Sequence, residues 1–183
     1  MQQHWISTAL DYDGSPLRSH FAYRNFGLLG DSCVAFVGTC DVKLEGMVDL
    51  MDVRRQAPIY SPRMLHFIAE SFRLDLLGMI LLQRLWVASL AERLHARGHA
   101  IYRRGDDLYF EERKLSVSIA TRSPLSSLLH LGLNIRTEGT PVPAAGLEEL
   151  GVDAAELARG CLEAFASEYA SVLQASYKVR AVE

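Results

Sequence analysis

Lysine is scarce in this chain: of 19 basic residues only Lys43, Lys114 and Lys178 are lysines, the rest being arginine. A lysine presents a compact ammonium that the planar guanidinium of arginine does not replace where charge gathers at one point. Lys114 opens the stretch Lys114-Leu115-Ser116-Val117-Ser118-Ile119, in which apolar and polar residues alternate. A second alternating stretch, Leu129-His130-Leu131-Gly132-Leu133-Asn134-Ile135, sets His130, Gly132 and Asn134 apart from four aliphatics. If the two strands are neighbours, period-two geometry predicts one polar floor carrying Lys114, Ser116, Ser118, His130, Gly132 and Asn134. Asp106 and Asp107 enter at the open end of the hairpin and add carboxylates. That set has the makings of a ligand site, with Lys114 and His130 as its reactive groups. Imidazole titrates near pH ~6.5, so His130 is open to the roles of acid, base or hydrogen-bonded wall. A sheet face in water alternates in the same way. The small neutral side chains here, in place of arginine and glutamate, favour a floor on which something lies.

The elements that must position these groups are partly readable. Residues 1–32 are rich in turn formers, among them Asp13-Gly14-Ser15-Pro16, Asn25, Gly27 and Gly30, and predict loop with short strand. Cys33–Val37 and Met47–Val53 read as β-type runs and antiparallel neighbours. Ser61-Pro62 predicts a helix start, with Met64, Leu65, Ile68 and Phe72 on one face and His66 with Glu70 as a surface pair. A long buried helix is expected over about 74–97, ending at Gly98. Three β-type runs follow at 100–103, 108–110 and 114–120, then a fourth at 128–135. Asp153, with Glu156 three residues on, caps a last helix of about five turns.

Composition narrows the function classes. With 183 residues, 49% hydrophobic, the chain is expected to form one domain over 1–183, and a chain of this size buries roughly 70% of its unfolded surface. A formal net charge of −3 and only two basic clusters, Arg54-Arg55 and Arg103-Arg104, argue against nucleic acid as the main partner. Charged residues interrupt the most apolar segment, so no membrane span is expected. Three cysteines without paired spacing, and no signal-like N-terminus, suggest reduced thiols and a cytoplasmic location. Cys40, beside Asp41 in an expected turn, is kept as a candidate nucleophile, and no metal-ligand set stands out. Asp49 lies inside an expected strand, where aspartate is disfavoured, which suggests a role for it.

The residues from Arg104 to Leu115, Arg-Gly-Asp-Asp-Leu-Tyr-Phe-Glu-Glu-Arg-Lys-Leu, resemble the biotin protein ligase segment that runs Trp-Pro-Asn-Asp-Leu, a β-turn, then Arg-Lys-Leu. Leu131-Gly132-Leu133-Asn134-Ile135 is similar to that family's Ile-Gly-Ile-Asn-Val strand. Over nearly its whole length, including Tyr23–Ser32 and Met47-Val48-Asp49-Leu50, the chain more closely resembles an uncharacterised family, domain of unknown function 366. The likeness implies an α+β, class II synthetase-like fold with a mixed, mostly antiparallel sheet packed on helices.

It also implies a chemistry: a carboxylic acid attacks the α-phosphate of ATP, with Mg²⁺, and the acyl group passes to an acceptor protein. No tightly bound cofactor is implied. Lys114 matches the ligases' catalytic lysine, which stabilises charge building between acid and phosphate. Asp107 and Asn134 match positions lining the acid and nucleotide sites, and Asp107 is also a candidate oxygen ligand for Mg²⁺. The likeness makes Arg24, Asp31 and Asp49 expected pocket residues, with Gly27 and Gly30 forming an anion-binding turn beside Arg24. There are departures. The ligases carry glycine three residues after the lysine where this chain has Val117, and glycine where it has His130. Their glycine- and arginine-rich loop has no clear copy, and the trailing small domain of many biotin ligases is not seen. Three classes stay open: an acid-activating ligase or acyltransferase, a module that binds a small acid or nucleotide without turnover, and a nucleic-acid-associated factor. A homodimer is left open.

Overall fold

Described over residues 1–182 by a computed structural model, the chain opens with strand β1 (Gln2–Trp5), short helix α1 (Phe21–Phe26) and long strand β2 (Ser32–Val42). Helix α2 (Leu50–Arg55) leads into strand β3 (Ile59–Ser71) and helix α3 (Leu76–His95). Strands β4 (Ile101–Arg104), β5 (Asp107–Phe110) and β6 (Arg113–Lys114) form a meander, followed by β7 (Ser116–Arg122), β8 (Ser127–Arg136) and helix α4 (Ala154–Tyr177). The main sheet runs β1-β2-β3-β8-β7 and is antiparallel except for the β1–β2 pair, while β4-β5-β6 make a separate small sheet. This is the mixed α+β architecture expected.

Alternation along the central strands gives the main sheet two packed faces. Ala35, Leu65, Phe67, Leu131 and Leu133 point to the side closed by α3 and α4, where Trp86 stacks on Phe165 with ring centroids 4.3 Å apart. Val34, Phe36, Met64 and Ile68 point to the other side and pack on Ile6, Tyr12 and Phe21 from the N-terminal segment. Both long helices begin at an aspartate cap: Asp75 accepts the Gly78 N–H at 2.7 Å and Asp153 the Glu156 N–H at 2.7 Å. Each cap satisfies a donor that the helix start leaves free.

Two elements differ from the sequence reading. Ser61-Pro62 does not start a helix, because residues 59–71 form β3, paired on both sides. Proline fits there because the ladder slips: Gly38 pairs with Met64 but Cys40 with Ser61, and the β8 register shifts between Arg63 and Met64. A bulged residue owes no ladder N–H. The Ser61 hydroxyl, expected as a cap, instead donates to the Arg63 and Arg136 carbonyls. His66 and Glu70 are accordingly buried in the sheet and are no surface pair.

Met47–Val53 is not a strand. Asp49 Oδ1 accepts the N–H groups of Met51 and Asp52 at 2.7 and 3.3 Å, which starts α2 at Leu50. Such local side-chain bonding competes with strand pairing. It also explains an aspartate amid apolar neighbours.

Candidate functional site

Lys114 is the last residue of the small sheet, Ser116 the first of β7, and Leu115 joins the two. The Leu115 N–H donates to the Leu108 carbonyl at 2.8 Å, and its own carbonyl accepts the Asn134 N–H at 3.0 Å. With Leu115 fixed in the core by both bonds, the alternation is interrupted, and Lys114 comes to the same side as Val117 rather than Ser116. The β7–β8 register settles the rest. Val117 pairs with Gly132 and Ile119 with His130, whereas Ser116 and Ser118 pair with Leu133 and Leu131. Paired residues share a face, and a one-residue offset exchanges faces.

The single polar floor is therefore corrected: Ser116 and Ser118 belong to the helix side. Ser116 Oγ accepts the Leu108 N–H at 2.8 Å, and Ser118 Oγ accepts from Gln83 Nε2 at 2.7 Å while donating to the Asp106 carbonyl at 2.9 Å. Ser118 reaches a cavity rim, but its hydroxyl is already engaged. The floor itself is Val117 and Ile119 beside His130, Gly132 and Asn134.

Two hollows open on this floor. The first, of about 380 Å³, is walled by the segment around α2 and by Asp106 and Asp107. The second, of about 370 Å³, lies between residues 56–60 and 140–144 and reaches Asn134. Asp52, Ile59, Lys114 and Val117 line both. Lys114 Nζ sits 2.8 Å from Asp107 Oδ2. Burial opposes the lysine's charge, but the Asp107 carboxylate and its hydrogen bond outweigh it, so the ammonium pKa is raised. Burial lifts the Asp107 carboxyl above its ordinary range, with Lys114 pulling the other way. Asn134 Nδ2 donates to the Lys114 carbonyl at 3.2 Å and steadies the lysine's backbone. Gly132 is required by close approach, since a Cβ there would strike Met64 Sδ, which crosses the strand.

The far end of the first cavity is neutral. His130 Nε2 lies 3.0 Å from His66 Nδ1, and Tyr12 stacks on the His130 ring at 4.0 Å. Burial holds both imidazole pKa values below the ordinary histidine value, and for His130 the neighbouring His66 adds to the effect. Burial likewise raises the Tyr12 phenol. Cys40 is corrected here: it is a fully buried residue of β2, its thiol pushed up to about 12 by burial, the reverse of an activated nucleophile.

Of the remaining expected site residues, Asp49 and Asp107 line the first cavity and Asn134 the second. Arg24, Gly27, Gly30 and Asp31 line neither. Arg24 is exposed on α1, and the Gly27 and Leu28 N–H groups are spent closing that helix onto the Tyr23 and Ala22 carbonyls. Asp31 instead accepts from the Phe72 N–H at 2.7 Å and the Tyr169 hydroxyl at 2.6 Å, tying β3 to α4. Tyr12 escaped the sequence reading as a cavity group, as did His66, which lies behind His130 and lines neither cavity. His66 carried a signal in the alternation Met64, His66, Ile68, Glu70, which the Ser-Pro pair masked.

The family model for DUF366, a domain of unknown function, matches residues 1–180. The chain belongs to the DUF366 family. An uncharacterized protein of Methanocaldococcus jannaschii is 38% identical over 154 residues, covering 81% of this chain and 70% of that protein. A solved structure of a protein of unknown function from Pyrococcus horikoshi is 47% identical, with a TM-score of 0.94 and 100% coverage of both chains. The DUF366 fold also extends to the ligases. Biotin protein ligase from Aquifex aeolicus, solved with biotin and ATP, matches with a TM-score of 0.59 at 16% identity, over 91% of this chain and 69% of that one. A candidate lipoate protein ligase from T. acidophilum with bound lipoic acid gives a TM-score of 0.59 at 15% identity, over 92% and 86% of the two chains. The shared property is the fold. Among the described residues no helix is long and apolar enough to cross a membrane.

Proposed function

We propose that this protein activates a small carboxylic acid with a nucleotide, the acid in the first cavity and the nucleotide reaching the second. The observation that carries the reading is the position of Lys114, whose side chain lines both hollows. An ammonium there, fixed by Asp107, stabilises negative charge shared between an acid oxygen and a phosphate. Arg55 lines the first cavity and adds a second cation there for the acid's carboxylate.

Among the described residues no group of three or more His, Cys, Asp or Glu is placed to hold a metal ion. That fits Mg²⁺ arriving with the nucleotide, since Mg²⁺ retains water and phosphate oxygens and needs only one or two carboxylates. Asp52, which lines both hollows, and Asp107, in the first beside Lys114, would serve. Bound Mg-ATP supplies an electrophilic α-phosphorus and a pyrophosphate leaving group. The chain's residues would orient the acid oxygen toward that phosphorus as pyrophosphate departs, and an acceptor protein's nucleophile would then take the acyl group with release of AMP.

The test is calorimetric titration with Mg-ATP, with and without biotin, lipoate and octanoate, followed by a pyrophosphate-release assay on wild type and Lys114→Ala. Acid-dependent pyrophosphate release that disappears in the variant supports the reading. Nucleotide binding without release in any combination overturns it.

A second reading, binding without turnover, is favoured by Val117, which stands between the hollows where the ligase likeness leads one to expect glycine. If Val117 is the only barrier, Val117→Gly gains release that the wild type lacks.

A further inference from the structure

β7 is the last strand of the main sheet, with β8 on one side and no strand on the other. In its antiparallel pairing with β8, the Asn134 N–H donates to the Leu115 carbonyl and the Ser123 N–H to the Ser126 carbonyl. Every second residue between them, Val117, Ile119 and Thr121, therefore turns its backbone groups toward β8, and Ser118, Ala120 and Arg122 turn theirs outward. Among the described residues these outward N–H and carbonyl groups have no hydrogen-bond partner. The small sheet meets β7 through side chains instead, at the Ser116 and Ser118 hydroxyls. An open edge invites a further strand unless it is short, bulged or carries proline or lysine. β7 is seven residues long, pairs with β8 without a register shift, and contains neither proline nor lysine.

The side chains along this edge are complementary to one another. Arg122, exposed at one end of the strand, makes no ion pair among the described residues. Near the other end stands Asp106, whose carbonyl accepts the Ser118 hydroxyl and whose carboxylate lies 3.5 Å from Arg84. Because Gln83 bonds Ser118 and Arg84 faces Asp106, that flank of α3 lies along β7. One and two turns before Arg84 the same flank carries Ile80 and Leu76. Leu76 is 40% exposed and Leu77 beside it 64%. The Ser127 hydroxyl, bonded to the Leu74 carbonyl, sets this apolar start of α3 next to the Arg122 end of β7.

We infer that the chain forms a two-fold dimer in which β7 pairs with β7 of a second copy, joining the two main sheets into one. A two-fold axis at Ala120 sets Ala120 against the partner's Ala120 and Ser118 against the partner's Arg122, so that every outward backbone group enters an antiparallel ladder. The same operation brings Arg122 toward the partner's Asp106 and turns the flank carrying Leu76, Leu77 and Ile80 toward its own copy. On the opposite face the partner's Thr121 comes beside Ile119, which lines the first cavity, so the second copy supplies part of that cavity's rim. Such a surface is self-complementary, as an isologous dimer requires.

The experiment is sedimentation equilibrium of the full chain, with amide hydrogen exchange on the same samples. The expected mass is about twice 20.4 kDa, with slow exchange at Ser118, Ala120 and Arg122, whose amides have no partner within one copy. Ala120→Pro removes the central outward N–H, a change that a sheet edge tolerates, and is expected to raise the dimer dissociation constant at least about tenfold. Arg122→Glu sets a carboxylate against the partner's Asp106 and is expected to weaken the dimer too, more at low salt than at high. A monomer at every concentration, a dimer whose β7 amides exchange freely, or a dimer of unchanged affinity in Arg122→Glu overturns the inference. If Ala120→Pro does not fold, Arg122→Glu, which alters only an exposed side chain, decides the matter.

Discussion

Lys114 Nζ, on the wall shared by two cavities, lies 2.8 Å from Oδ2 of Asp107, which lines the first of them. They come together because β5 and β6 pair Tyr109 with Lys114, which puts Asp107, two residues before Tyr109, on the lysine's face. The pair is partly open to solvent, so it anchors charge more than it stabilises the fold. Lys114→Ala is expected to reduce acid-dependent pyrophosphate release by at least about 100-fold while shifting unfolding free energy by less than about 1 kcal/mol. Stopped-flow release and urea denaturation read the two effects separately. A comparable loss of both would make Lys114 a structural residue.

Gly132 is bound to Met64 by shape. Because a Cβ at 132 would strike Met64 Sδ, Gly132→Ala is expected to destabilise by about 1–3 kcal/mol, the usual cost of overpacking. Shortening the obstacle should recover it: Gly132→Ala with Met64→Ala is expected to show a favourable coupling energy in a double-mutant cycle. Additive losses in urea melts would mean that the methionine is not what excludes a side chain.

Much of this arrangement could be read from the chain, and what could not has a physical reason. Asp153 announces the start of α4 because capping is local, whereas Asp75, the cap of α3, stands unmarked inside the expected helix. The alternation of β8 survives intact because both its faces are regular. β3 was hidden by Ser61-Pro62, since a bulge that tolerates proline depends on the partner strands' register and leaves no mark in the sequence. The serines were placed on the wrong face for a similar reason: one interruption, at Leu115, reverses everything after it. Tyr12 and His66 meet across 54 positions, a juxtaposition that no local pattern signals.

The buried imidazoles make stability depend on acid. Both His66 and His130 have folded pKa values below the ordinary 6.5, because burial disfavours their charged forms. In the unfolded chain both titrate near pH ~6.5. Below that pH the unfolded state binds protons that the folded state refuses, so the pair's contribution is intact above about pH 6.5 and is lost as pH falls further. The slope is about 1.4 kcal/mol per pH unit for each histidine. Melting temperatures between pH 8 and pH 5 are expected to drop below pH 6.5, and the drop should lessen in His66→Phe. A flat profile would mean that the pair accepts a proton within the fold.

Asp31 separates position in the fold from position in the site. Its carboxylate receives the Phe72 N–H and the Tyr169 hydroxyl, and Arg73 Nε lies 3.2 Å away, while the Tyr169 hydroxyl also contacts Ser71 Oγ at 2.9 Å. The knot fastens the end of β3 to α4 and touches neither cavity on the Lys114 side. Asp31→Ala leaves the Tyr169 hydroxyl without its charged partner and frees the Phe72 N–H, at an expected cost of about 1–3 kcal/mol. Affinity for Mg-ATP or for an acid should stay within about twofold of wild type at temperatures well below the melt. Thermal unfolding and calorimetric titration of the same preparation decide between the two roles. A large loss of affinity in a protein that melts normally would return Asp31 to the binding site.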